Sequence, residues 1–155
     1  MEVKFIKPTI EAIEIIASNM RQADTDEIWA SNHHTPIESL VKGWNDSDFS
    51  VVVTINGVPS VMLGLVVHCQ LTGLGSPWLL ATDNALKYRR IFLTQSDAVI
   101  KEMLNICPRL VNHVHTKNKA SVRWLKWLGF QLDKPLPFGP DKELFSRFHM
   151  GINNV

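Results

Sequence analysis

The sequence predicts an α+β (mixed α/β) fold in one domain spanning residues 1–155: a central, mostly antiparallel twisted sheet flanked by about four helices. Three observations predict it. The middle of the chain, "FSVVVTINGVPSVMLGLVVHCQL", is two β-rich runs around Asn56-Gly57, the strongest short hairpin signal. Segments with helical spacing of apolar residues lie on both sides of it. Short apolar strands are interleaved with the later helices, an order that builds mixed sheets with helices packed on their faces.

Each element has its own local reason. "VKFIKPT" alternates Val3 and Phe5 with Lys4 and Ile6 and stops at Pro8, an opening strand. From Thr9, residues Ile10, Ile13, Ala17 and Met20 form one stripe, with Glu11 and Glu14 in the early helix. "MRQADTDEIWASNHH" reads as helix or turn. "TPIESLVKGW" starts a helix, with Thr35 as N-cap, Pro36 at the first helical position and Glu38 completing a capping box. After the hairpin, "GLGSP" reads as a loop and "WLLAT" as a short strand. "DNALKYRRIFLTQSDAVIKEMLNICP" is helical, with Phe92, Val99, Ile100, Met103 and Leu104 on one face. Thr94 with Asp97 has capping-box spacing, and Pro108 ends the segment. "RLVNHVH" is a strand, residues 118–129 form a helix, and "FGPDKELFSRFHM" supplies a turn and a last strand.

The formal net charge is only +1, so no global field recruits nucleic acid or an anionic membrane, and neither is expected as a partner. No window has the length of uncharged apolar sequence that spans a bilayer, and "MEVKFIKPT" has no signal-peptide core. Cys69 and Cys107 fit no zinc spacing and read as free thiols of a reducing cytoplasm.

The last helix carries the most information. Lys119, Arg123 and Lys126 form one cationic stripe, while Val122, Trp124, Leu125 and Leu128 form an apolar face. Asn118 is positioned as N-cap and Gly129 as a left-handed C-cap before Phe130. A solvated amphipathic helix explains this pattern. A nucleic-acid surface would need exposed aromatics beside the charges, and Trp124 falls on the apolar face.

The spacing of Asn118, Ser121, Trp124, Leu125, Gly129 and Phe130 resembles the fourth-helix signature of the GNAT (GCN5-related N-acetyltransferase) superfamily, and the element order agrees along nearly the whole chain. Segments "MRQADTDEIWAS", "GSPWLLATD", "PRLVNHV" and "NKASVRWLKWLGF" resemble a family of short-tailed-phage proteins labelled internal virion protein A or GNAT-like phage protein. The resemblance implies an acetyl-CoA-dependent N-acetyltransferase acting on a small-molecule or protein amine. The alternative is a catalytically degenerate scaffold that meets phage virion or host proteins, in the host cytoplasm or the virion.

The same resemblance assigns site residues. Asn118 and Ser121 fall on cofactor-helix positions. The superfamily's glycine-rich pyrophosphate loop aligns with "LKYRRI", where Arg89 and Ile91 replace glycines and Lys87, Arg89 and Arg90 offer cations instead. Leu125 stands where a tyrosine acid is common. His113 and His115, on one face of a strand, are the candidate bases. They are also an i, i+2 metal pair, but no third ligand has sensible spacing, so no metal is expected. Arg21, Asp24 and Glu27 lie at i, i+3 steps; they pair on an exposed helix face, or they line an acceptor cleft with Trp78. His33-His34 and Asp83 are further acceptor-side candidates.

Overall fold

The computed structural model describes residues 1–151. Its element order is β1 (Val3–Ile6), α1 (Ile10–Ser18), α2 (Gln22–Asn32), α3 (Pro36–Asp46), β2 (Phe49–Ile55), β3 (Val58–Cys69) and β4 (Leu74–Ala81). There follow α4 (Asp83–Lys87), α5 (Arg89–Ile106), β5 (Arg109–His115), α6 (Lys119–Leu128), β6 (Gln131–Leu132), β7 (Leu136–Phe138) and β8 (Glu143–Gly151). The strands form one sheet in the order β1-β2-β3-β4-β5-β8-β6, with β7 also paired to β8. Every pairing is antiparallel except β4 with β5.

The local signals act as their chemistry dictates. Thr9 Oγ1 accepts from Ala12 N at 3.1 Å and starts α1. Thr35 and Glu38 form the reciprocal capping box of α3, satisfying two backbone donors at once. Asn56 and Gly57, at φ 52° and 79°, make the tight turn of the β2–β3 hairpin. Gly129 ends α6 at φ 102°, and its N–H reaches back to Leu125 O and Lys126 O.

Two apolar layers sandwich the sheet. One joins Ile13, Ile16, Ile28, Leu40, Val52, Met62 and Leu80, bringing α1, α2 and α3 onto one face. The other joins Leu63, Leu65, Ile100, Met103, Leu110, Val114, Leu125 and Phe148, bringing α5 and α6 onto the opposite face. Leu65 and Leu110 are fully buried, each burial contributing about 1.5–3 kcal/mol.

Four local readings are corrected. The helix expected after Thr82 breaks at Tyr88 into α4 and α5, giving six helices among the described residues. "GLGSP" is not a loop: Leu74 onward is β4. Gly75 is there for close approach, since a Cβ would come within 2.7 Å of Cys107 Sγ. Thr94 lies inside α5 and is no cap; its hydroxyl donates to Arg90 O at 2.9 Å. Asn118 occupies the N-cap position of α6, but its side chain makes no capping bond.

Candidate active site

The site begins with a parting of two strands. β4 and β5 run parallel and pair only at Leu74 with Arg109 and Gly75 with Leu110. Side chains carry the seam one step further: Ser76 Oγ donates to Val111 O at 2.7 Å, and Asn112 Nδ2 donates to Pro77 O at 2.8 Å. Pro77 has no N–H to continue the ladder, so backbone pairing stops there. Beyond it the strands separate.

The parting leaves backbone groups without a partner strand. Thr82 N bonds to Ser60 O of β3's side, whereas Ala81 turns the other way, its N–H to Asp24 Oδ2 at 3.0 Å and its C=O to Arg21 N at 2.9 Å. Donors alternate sides along an antiparallel ladder, so Leu79, two residues before Ala81, also directs its N–H and C=O away from β3 and into the gap. No hydrogen bond to either group is made by a described residue.

Helix α2 straps the wide end of the gap. Asp24 Oδ1 accepts from Arg21 Nη1 at 2.9 Å and from Asn118 Nδ2 at 3.1 Å. Glu27 Oε2 accepts from His115 N at 2.9 Å and from Asn118 Nδ2 at 3.3 Å. Asn118 Oδ1 in turn accepts from Arg21 Nη2 at 3.3 Å. One carboxylate thus caps β4 and the other caps β5, with Asn118 between them. The exposed placement of Arg21, Asp24 and Glu27 is overturned, although the Arg21–Asp24 pair forms: Asp24 is 2% exposed and Asn118 1%.

Burial governs the electrostatics. It pushes the Asp24 carboxyl up from its ordinary value, while the Arg21 charge and the Ala81 and Asn118 donors pull it back. Burial also pushes Glu27 up, to about 7; the His115 N–H opposes this, and the Asp24 charge reinforces it. Glu27 Oε1 carries no hydrogen bond from a described residue. A carboxyl poised near neutrality beside an open gap has the profile of a general base.

A cavity of about 500 Å³ passes through the gap to both faces of the sheet. On the α2/α3 face its wall includes Glu27, Trp78, Leu80, His113 and Phe138. On the α5/α6 face it includes Leu79, Phe92, Ser96, Ser121, Trp124 and Leu125. Trp78 Nε1 donates to Ser47 Oγ at 2.7 Å, and its ring fills space that a Cβ on Gly43 or Gly64 would occupy. Trp124 packs on Phe92 and donates to Ser96 Oγ at 3.2 Å.

The two histidines have separate surroundings. His113 stacks on Phe138 with centroids 4.3 Å apart, and burial together with the Arg147 charge holds its imidazole below the ordinary value. His115 is buried against Phe145, and its Nε2 lies 2.8 Å from Glu143 Oε1. Arg21, Asp24, Glu27, Asn118 and His115 are therefore brought together, with Trp78, His113 and Ser121 on the cavity wall. Lys87, Arg89 and Arg90 are exposed and do not line it, although the next residue, Ile91, does. His34 lines the cavity, His33 pairs with Asp141 at 2.8 Å, and Asp83 is exposed at the start of α4. The cationic stripe of α6 is exposed, as is Trp127. Among the described residues no group of three or more His, Cys, Asp or Glu is arranged to hold a metal, and no helix is long and apolar enough to cross a membrane. The residues that sequence reasoning missed are Leu79, whose contribution is backbone, and Phe138. Pro77, a proline inside an apolar run, was the available signal for the broken pairing.

No family model and no curated protein matches the chain. Solved structures do match. A spermidine N-acetyltransferase from Vibrio cholerae, in complex with CoA and spermine, superposes with a TM-score of 0.73 at 11% identity, covering 98% of this chain and 96% of that one. The Microcin C7 self immunity acetyltransferase MccE, in complex with acetyl-CoA and AMP, gives 0.71 at 12% identity over 97% and 93%. An acetyltransferase of the GNAT family from Streptococcus pneumoniae gives 0.60 at 16% over 98% and 100%. The chain has the fold of the GNAT acetyltransferases.

Proposed function

We propose that the chain is an acetyl-CoA-dependent N-acetyltransferase, encoded by a phage and acting on an amine. The observation that carries this reading is the strand parting: it opens a cavity to both faces of the sheet, with the unpaired Leu79 N–H and C=O inside and Glu27 at the edge. Two reactants can meet through such a gap from opposite sides. The residues fit the donor in its middle section, where the Leu79 C=O offers an acceptor to an amide-bearing arm, with Ser121 on the same wall. Asn118 is committed to α2 and is withdrawn from that role. Lys87, Arg89, Arg90 and the first N–H groups of α5 would hold the diphosphate at a helix start, charge replacing the missing glycines.

Bound acetyl-CoA supplies an acyl thioester whose thiolate leaves without an obligatory acid, which makes Leu125 tolerable at the position of a tyrosine. Leu79 N–H orients and polarises a carbonyl oxygen placed in the gap. Glu27 takes the proton that the acceptor's ammonium must lose before it can attack, a task suited to a carboxyl near 7.

A second reading, a scaffold in the virion or host cytoplasm that has lost catalysis, is favoured by the three cations facing solvent and by Leu125. Calorimetric titration separates the two. Acetyl-CoA is expected to bind at micromolar concentration, and Lys87→Ala with Arg90→Ala is expected to weaken it at least tenfold, the loss of two charge-assisted contacts. Absence of heat at millimolar ligand would contradict the transferase reading and favour the scaffold.

A further inference from the structure

We propose that the α2/α3 side of the cavity takes a small-molecule monoamine with an apolar or aromatic body. This deepens the transferase reading and rests on it. Three features of the wall carry the inference.

The first is the charge count. The carboxylates on this side are Glu27 and Asp46. Asp46 lies 2.7 Å from Lys42 Nζ, which lines the same wall, so this exposed pair adds no net negative charge, and Asp24, behind Glu27, is buried against Arg21. Glu27 alone remains to meet an ammonium, so a second cationic nitrogen on the same ligand finds no partner and loses its hydration.

The second is the lining. Ile28, Trp78, Leu80 and Phe138 give this side an apolar and aromatic surface. The polar groups nearest Trp78 are already engaged: Ser76 Oγ donates to Val111 O and accepts from His68 Nε2 at 2.7 Å, and Trp78 Nε1 donates to Ser47 Oγ. A hydrocarbon or aromatic ligand body is complementary to such a wall.

The third is the roof. The turn between β7 and β8 sits on the C-terminal end of α2: a Cβ on Gly139 would come within 2.2 Å of Ala30 O, and Asp141 pairs with His33. This holds Phe138 over the cavity, stacked on His113. An extended polypeptide needs an open groove, and this rim is closed by direct backbone contact.

The test uses the protein without acetyl-CoA, titrated calorimetrically with phenethylamine, spermidine and a short C-terminally amidated peptide with a free N-terminus and no charged side chains. Thiol release from acetyl-CoA is then followed with the same three amines. Phenethylamine is expected to bind at least tenfold more tightly than either competitor, and Phe138→Ala to weaken it at least tenfold while acetyl-CoA affinity is unchanged. Spermidine or the peptide binding as well as phenethylamine, or no amine binding at all, would overturn the proposal. The two claims separate cleanly. Selective phenethylamine binding without thiol release upholds the amine class and sinks the transferase reading; thiol release with spermidine alone does the reverse.

Discussion

Replacing Glu27 with glutamine is expected to lower kcat/KM for acetyl transfer by about a hundredfold or more, the ordinary contribution of a positioned general base. Glutamine retains an oxygen to accept from His115 N and Asn118 Nδ2, so the strap persists while the proton acceptor is lost. The wild-type rate should rise through about pH 7 as the Glu27 carboxylate forms, and that limb should vanish in the variant. Stability should move the opposite way. A carboxyl raised in the folded state contributes stability fully below its unfolded value of 4.5, and loses it as pH climbs through about 7. The wild type therefore forfeits at most about 3 kcal/mol on going from pH 4 to pH 8 through this one group. Glutamine does not ionise, so Glu27→Gln should match the wild type in urea denaturation at pH 4 and exceed it at pH 8. A variant as active as the wild type, or less stable at pH 8, would remove Glu27 from the proposed role.

Asp24→Ala is expected to cost about 3–5 kcal/mol, the penalty for leaving one partner of a buried ion pair uncompensated. Three donors lose an Asp24 oxygen together: the Arg21 guanidinium and the Asn118 amide, which keep their weaker bonds to Asn118 Oδ1 and Glu27, and the Ala81 N–H, which has no other acceptor among the described residues. For a chain of this size the loss lowers Tm by about 10 °C. The matched control is Lys101→Ala, which breaks an exposed pair with Asp97 on α5 and should stay within about 0.5 kcal/mol. Thermal unfolding of both variants checks the contrast. An Asp24→Ala loss as small as the control's would mean that the strap does not hold the parted strands.

The sequence made the local devices legible because each is complete within a few residues. Asn56-Gly57 names its own turn, Thr35-Pro36-Glu38 its own helix start, and Gly129 its own stop. The α5 face was equally readable, since Ile100 and Met103 are buried together with Phe92, Val99 and Leu104 packed around them. Distance in sequence hid the site. Asn118 looks like a cap because Lys119 follows it, yet its partners Asp24 and Glu27 lie 94 and 91 residues away. α2 gave little warning of its role, because Asp24 is buried through polar contacts and no apolar stripe announces it. The glycines and proline of "GLGSP" suggest a loop, whereas Gly75 serves a close contact with Cys107 and Pro77 sits where the ladder ends. Leu79 was invisible in principle: its side chain packs against the core, and only its peptide group faces the gap.

The decisive measurement is amide hydrogen exchange at Leu79, followed by NMR with and without acetyl-CoA. In the free protein the Leu79 N–H should exchange much faster than that of Leu80, which bonds within the β3–β4 ladder. With saturating acetyl-CoA it should become protected and shift. An amide already protected in the free protein, or one unchanged at saturation, would contradict the claim that the parted strands form the donor site.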